Sequence, residues 1–414
     1  MRRPATTLRF RRKLLFFALA VVLMLLIAYA VKRKGNFDLH QTKFPGRGAT
    51  QTPLLIPAPI RAPSPTPEPT ANDRYVAPGG SDSNNGSISA PWATIQHAAD
   101  MAAPGFVIHV APGNYAAVNS QVSGTASARI RFISDVKWGA KLQGNGPASV
   151  WTNRGNYVDI MGFDVTGNTQ VGIENDASFV RTIGNHVHNI PAACNSNGGA
   201  GIQDNEFFTS DNDIIGNVVH DIGDPAHSCP TTQGIYHSEI RGHILNNISY
   251  RNSAWGIHLW HAASNVVIAN NLVFGNGEGG IIVGDGDAPG GIVDDYTIVT
   301  NNIILNNPTA IGEEGATGSH NQYVNNLVWQ NPKGILLRNG LHDVGTINAD
   351  PLLVNYQPDG SGDYHLQSTS PAISSGTTQG MPTIDFDGAP RQGDARPHVG
   401  PYLFESQARP WPWM

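Results

Sequence analysis

Along most of this chain the apolar positions come in runs of only two to four residues, mostly Val, Ile and Leu, bounded by Asn or Gly. Runs this short and this β-branched predict strands rather than helices. Two signatures alternate. The first sets Asn at a strand start: Gly184-Asn185-His186-Val187, Gly216-Asn217-Val218-Val219, Asn246-Asn247-Ile248, Asn270-Asn271-Leu272-Val273, Asn301-Asn302-Ile303-Ile304 and Asn325-Asn326-Leu327-Val328. The second is Gly-Ile, at Gly172, Gly201, Gly234, Gly256, Gly280 and Gly334, with Ala310-Ile311 in the same place. Successive Asn positions lie 32, 30, 24, 31 and 24 residues apart. A period in the low twenties with insertions predicts a solenoid of roughly ten coils, each holding short strands. Asn and Gly at fixed offsets supply the turns and tolerate left-handed backbone. Asn repeated at one position can stack its amides into a ladder. Leucine-rich repeats would need L-x-x-L-x-L, which is absent.

The two marks also locate insertions. Most coils put eight or nine residues between Asn and Gly-Ile, but Asn185 to Gly201 spans 16 and Asn217 to Gly234 spans 17. Segments 190–199 and 222–232 should therefore leave the same turn of adjacent coils and stack into a wall. Each carries one cysteine, Cys194 and Cys229, the only two in the chain. They read as a disulfide across neighbouring coils, with two free thiols or a metal-binding pair as the other options. A third insertion, 284–294, leaves the opposite turn; with the residue after it, it offers Asp285, Asp287, Asp294 and Asp295 as weak metal candidates.

In Gly-Ile-x the Ile points inward, so x points out. That outward column reads Glu174, Gln203, Tyr236, His258, Ile282; the next reads Asp176, Asn205, Ser238, Trp260, Gly284. Between them the inward position reads Asn175, Asp204, His237, Leu259, Val283. Eight of 15 histidines fall between 186 and 261. This face is the candidate site. Were the ligand a sugar, Trp260 or Tyr236 would stack on its ring, and Glu174, Gln203, His220 and His261 would hold its hydroxyls. A proton would move through His237, His258 or Tyr236, with Asp204 beside His237. Histidine protonation should then shape activity between about pH 5 and 8. Were that sugar a uronic acid, proton abstraction beside its carboxylate would also need the carboxylate neutralised. Arg241 and Arg251 are the nearest cations in sequence, and a calcium ion on acidic side chains is the other route. For each residue taken singly, a solvated polar face explains it as well.

The N-terminus adds a location. Six Arg and Lys precede the uncharged apolar run Leu14–Val31, and Lys32, Arg33 and Lys34 follow. The run can just span a bilayer, with residues 1–13 cytoplasmic and the body outside. Cleavage after Ala30, at Ala28-Tyr29-Ala30, is the competing reading and would secrete the body. Residues 32–73, with eight prolines between 45 and 69, predict an extended spacer. The formal charge of −6 is uneven: nine of 26 basic residues lie within 1–34, leaving 17 basic against 32 acidic beyond it, or −15. An acidic body excludes nucleic acid as a partner and would repel a polyanionic glycan unless a cation lies at the site.

Tyr75-Val76-Ala77-Pro78-Gly79-Gly80-Ser81-Asp82, Pro91-Trp92-Ala93-Thr94-Ile95-Gln96 and Val107-Ile108-His109-Val110-Ala111-Pro112-Gly113-Asn114-Tyr115 resemble the opening of pectate-lyase-like right-handed parallel β-helix proteins. The tail, from Ala349-Asp350-Pro351-Leu352 through Asp385-Phe386-Asp387-Gly388 to Val399-Gly400, is similar to the closing segment of bacterial surface proteins of that architecture. The resemblance implies an all-β parallel β-helix over 74–349, a capping segment over 350–414, and a short helix near Ile95. The spacing of Ile95, Ala98, Ala99 and Ala102 agrees with that helix. It implies polysaccharide as partner, through lyase or epimerase chemistry on a uronate-containing glycan, carried by a monomer. A non-catalytic glycan- or wall-binding module is the alternative. Asp224-Pro225-Ala226-His227 is similar to the D-P-H-D/E of mannuronan epimerases but departs at its third and fourth positions.

Overall fold

A computed structural model describes residues 70–404, apart from 196–197, 206, 225, 287–290 and 392–395. The apolar run 14–31 and residues 32–69 of the spacer lie outside the described residues, as does Asp287. Among the described residues no helix is long and apolar enough to cross a membrane.

The chain winds as a parallel β-helix. Each coil contributes one strand to each of three parallel sheets. The first sheet has ten strands, from Asp73–Val76 to Gln322–Val324; the second has nine, from Val118–Ser120 to Ile335–Leu336; the third has ten, from Gly113–Ala116 to Ile347–Asn348. The helix Ile95–Asp100 closes the first coil, with Thr94 capping its N-terminus through the His97 amide and Ile95, Ala98 and Ala99 buried. The Gly-Ile marks fall in one register on the second sheet: Ile173, Ile202, Ile235, Ile257, Ile281, Ile311 and Ile335 pair in sequence. The first six are wholly buried.

The Asn marks build the corner between the first and third sheets. Asn185, Asn217, Asn247, Asn271, Asn302 and Asn326 pass side-chain amides one to the next at 2.9–3.1 Å. The residue before each, Gly184, Gly216, Asn246, Asn270, Asn301 or Asn325, has φ between 51° and 64°. Only Gly and Asn enter that region cheaply, which is why the repeat begins Gly-Asn or Asn-Asn. A second ladder, Asn252–Asn276–Asn307–Asn331, holds the corner between the third and second sheets.

The C-terminal segment lies along the third sheet. Leu353, Tyr364, Leu366, Ala372, Val399 and Tyr402 pack with Ile248, Tyr250, Leu272, Phe274, Ile303, Leu305 and Leu327.

Candidate functional site

The outer face of the second sheet carries a cleft of about 460 Å³. Register sets its floor: Glu174, Gln203, Tyr236, His258 and Ile282 pair in order along one outward column, of which Gln203, Tyr236 and His258 line the cleft. Trp260 follows Ser238 and Asn205 along the next. Cys194 and Cys229 are bonded, with Cα atoms 5.7 Å apart, and tie the two wall loops together on the cleft's flank. The cleft is lined by Gln203, Asn205, Gln233, Tyr236, Trp255, His258, Trp260, His261, Glu278 and Glu314, with Gly198, Gly199, Pro230 and Thr231 from the wall side.

His258 sits between two aromatic rings, edge-on to Tyr236 at 5.3 Å and to Trp260 at 5.4 Å. Both its ring nitrogens are shielded from solvent without a hydrogen-bond partner. Burial, helped by the neighbouring His261, pushes its pKa down to about 3. The imidazole is therefore neutral across the physiological range, where an ordinary histidine would titrate. Tyr236 also meets His261, which packs against Phe207.

The two indoles of the cleft lie on glycine. A Cβ at Gly284 or Gly286 would come within 2.8 or 2.3 Å of the Trp260 ring, and one at Gly279 within 2.1 Å of Trp255. Any side chain there would lift the indole from the sheet. Trp255 is a lining residue missed from sequence; its signal was Gly279 one coil later.

Beneath the floor lies a buried polar group. Asp204 accepts from Asn175 at 2.9 Å and contacts His237 Nδ1 at 2.9 Å. Glu239, also fully buried, comes close enough that ligand atoms of Asp204, His237 and Glu239 lie within 4.8 Å of one another. Burial, then the negative charge of Asp204, drive the Glu239 pKa well above the carboxylate range, so it holds a proton. These three could hold a cation, which would displace that proton. Their place under Gln203, Tyr236 and Ser238 makes them positioning residues for the floor.

Several sequence candidates fall elsewhere. Arg241 lies on the first sheet, paired with Asp211 at 2.7 Å, because the turn after Ser238 carries it off this face. Arg251 pairs with Asp221 at 2.8 Å. His220 projects from the third sheet. Glu174 is on the correct column but one coil beyond the cleft, where it accepts from Ser149. Asp285 and Asp294 turn inward and are buried, Asp294 accepting from Thr297 at 2.7 Å; Asp295 pairs outward with His320. These acidic side chains thus do not converge on one outer point. The cation that sequence reasoning overlooked is Arg154. It precedes Asp176 on the Trp260 column, half-exposed, and bonds that carboxylate at 3.1 Å. Its coil lacks the Gly-Ile mark because Trp151 takes the isoleucine's place in the register.

The model of the Pel9A-like right-handed β-helix region matches residues 74–339. The chain belongs to this family. Pectate lyase Pel9A is similar in structure, with a TM-score of 0.56 and 17% identity over 81% of this chain and 97% of that one. The alginate lyase from Paenibacillus sp. FPU-7 gives 0.52 and 20% identity, over 61% of this chain and 92% of that one. No curated protein sequence matches the chain. At these identities the likeness is one of fold.

Proposed function

We propose that this protein is an extracytoplasmic polysaccharide lyase that cleaves a uronate-containing glycan by β-elimination in the cleft on the second sheet. One observation carries the reading: His258, a neutral imidazole with both nitrogens unbonded, stands at the cleft floor between Tyr236 and Trp260. A buried polar group without a partner costs roughly 1–3 kcal/mol, so a ligand that supplies the partner recovers that cost. A uronate does so. Its carboxylate gives the desolvated ring the counter-charge it lacks and raises its pKa towards that of a working base.

In this reading Trp260 stacks on the sugar ring, and the amides of Gln203 and Asn205 donate to the carboxylate. His258 takes the proton α to that carboxylate. The glycosidic C–O bond then breaks, and the Tyr236 hydroxyl donates its proton to the leaving oxygen. The products are a 4,5-unsaturated uronate and a new chain end. Arg154, about 10 Å from Asn205 along the stack, meets a neighbouring uronate of the same polymer. That the two similar structures are named as a pectate lyase and an alginate lyase agrees with this substrate class. A binding module without chemistry is the second reading, favoured by the lack of any Lys or Arg among the cleft-lining residues.

Calorimetric titration of the full chain with polygalacturonate, alginate and a neutral glucan tests the site. The proposal expects binding to a polyuronate, weakened by Trp260→Ala and by Arg154→Ala. Binding to no polyuronate, or binding indifferent to both substitutions, would overturn it.

A further inference from the structure

The densest histidine group of the molecule lies away from the cleft, on the outer face of the third sheet. His186 and His188 flank Val187, which is wholly buried, so alternation sends both imidazoles outward. His220 stands in register with His188 on the next coil. The rings converge: His186 and His188 stack with centroids 4.1 Å apart, and His188 and His220 lie 5.3 Å apart and 12° from parallel. His186 Nε2 meets His220 Nε2 at 2.8 Å, and one nitrogen from each of the three rings falls within 4.8 Å of the others.

We propose that His186, His188 and His220 form a binding site for one zinc-class transition-metal ion, separate from the glycan cleft. The facing Nε2 atoms of His186 and His220 can share only one proton, whereas a divalent ion can accept a lone pair from each. Zinc–nitrogen bonds of about 2.0–2.1 Å in tetrahedral geometry separate ligand nitrogens by roughly 3.3–3.4 Å. The one close contact, 2.8 Å between His186 and His220, is shorter than that value, and the remaining ligand separations all lie within 4.8 Å. Small shifts of the rings would therefore seat the ion.

Carboxylates already hold the far sides of the rings. Asp164 contacts His186 Nδ1 at 3.2 Å and His188 Nε2 at 3.3 Å, and Asp221 contacts His220 Nδ1 at 2.6 Å. For His186 and His220 this fixes the tautomer whose Nε2 is free for a metal, the carboxylate–histidine arrangement of zinc sites. His188 would then offer Nδ1. Trp138, anchored by its Nε1 on Gly184, lies against His186 at 4.8 Å, and Tyr250 stacks on His220 at 4.6 Å, so aromatic rings clamp the group at both ends. Side-chain exposures of 21%, 17% and 13% leave an entry path and a fourth position for water or a partner's ligand. Arg251 offsets Asp221 at 2.8 Å, leaving the Asp164 charge to balance the ion. Imidazole suits Zn²⁺, Co²⁺, Ni²⁺ or Cu²⁺ and not Ca²⁺. Further along this sheet the outward column turns apolar, as Tyr250, Phe274, Leu305 and Trp329, and the C-terminal segment packs against that stretch. The segment borders the histidine group: Val218, in register with His186, packs against the same cluster, and Phe386 lies 4.8 Å from the Lys137 ammonium, next to Trp138.

The test uses the full chain, produced without a histidine tag and stripped with a chelator. Titration with ZnCl₂ should give one tight equivalent per chain, and CoCl₂ should give the visible bands of a four- or five-coordinate ion. His186→Asn and His220→Asn should each weaken binding at least 30-fold, while Glu239→Gln, in the buried group under the cleft, should leave it unchanged. His188→Gln, a partly exposed change, serves if the others fail to fold, and should abolish the zinc-induced rise in Tm. No stoichiometric uptake by the folded wild-type chain, uptake that survives the three histidine substitutions, or loss in Glu239→Gln would each overturn the proposal.

Discussion

Replacing His258 with Phe should make the protein more resistant to acid. In the folded chain burial holds this imidazole at a pKa of about 3, against 6.5 for an ordinary histidine. Between those values the unfolded chain binds a proton that the folded chain does not. The sign follows: the contribution to stability is complete above about pH 6.5 and is lost as pH falls towards 3. Each pH unit within that window is worth about 1.4 kcal/mol, so moving from pH 6.5 to pH 5 costs the folded state about 2 kcal/mol through this residue alone. Phe fills a similar space between Tyr236 and Trp260 and cannot take the proton. His365, pushed up to about 9 by Asp387 and Asp363, titrates in both proteins and cancels in the comparison. Urea unfolding of wild type and His258→Phe at pH 7, 6 and 5 should show the difference moving by about 2 kcal/mol in favour of the variant. Parallel pH dependence of the two proteins would refute the assignment of His258 as a buried neutral base.

Other outcomes follow from the same geometry. Asn247→Ala removes a buried ladder residue that accepts from the Asn217 backbone and side chain and donates to Asn271 and Ile214; denaturant unfolding should show a loss of about 2–3 kcal/mol. Cys194→Ala with Cys229→Ala opens a loop of 35 residues' separation, for which chain entropy sets a limit of about 4 kcal/mol; proteolysis should cut within the wall loops 190–199 or 222–232 before any coil. Trp260→Ala should weaken glycan affinity about 10-fold in calorimetry through loss of the stacking surface.

Much of the fold was legible because a β-helix repeats one constraint in every coil. The inward isoleucine column and the asparagine corner recur in sequence because each coil must meet the last in register. The cleft's floor was legible for the same reason: outward positions follow once the inward one is known. That logic stopped at the corners. Arg241 is only three residues past Ser238, but the turn between them sends it to another sheet. The histidines look like one group in sequence and are not. His186, His188 and His220 face out from the third sheet, His237 and His258 lie on the second with His261 in the turn after it, and His243 pairs with Asp213 on the first. Burial sets protonation in the ligand-free protein as well. An outward position suggests a solvated, ordinary histidine, but Tyr236 and Trp260 cover His258 and move its titration out of the range between pH 5 and 8.

The central claim is that His258 removes a proton from a bound uronate. Ultraviolet absorbance of the 4,5-unsaturated product, followed while the full chain acts on polygalacturonate or alginate, tests it most directly. The account predicts that absorbance rises for at least one polymer with wild type, falls by at least 100-fold in rate with His258→Phe, and that the variant still binds the polymer. A glycan that binds without any rise in absorbance, or a rise that His258→Phe leaves intact, would contradict it.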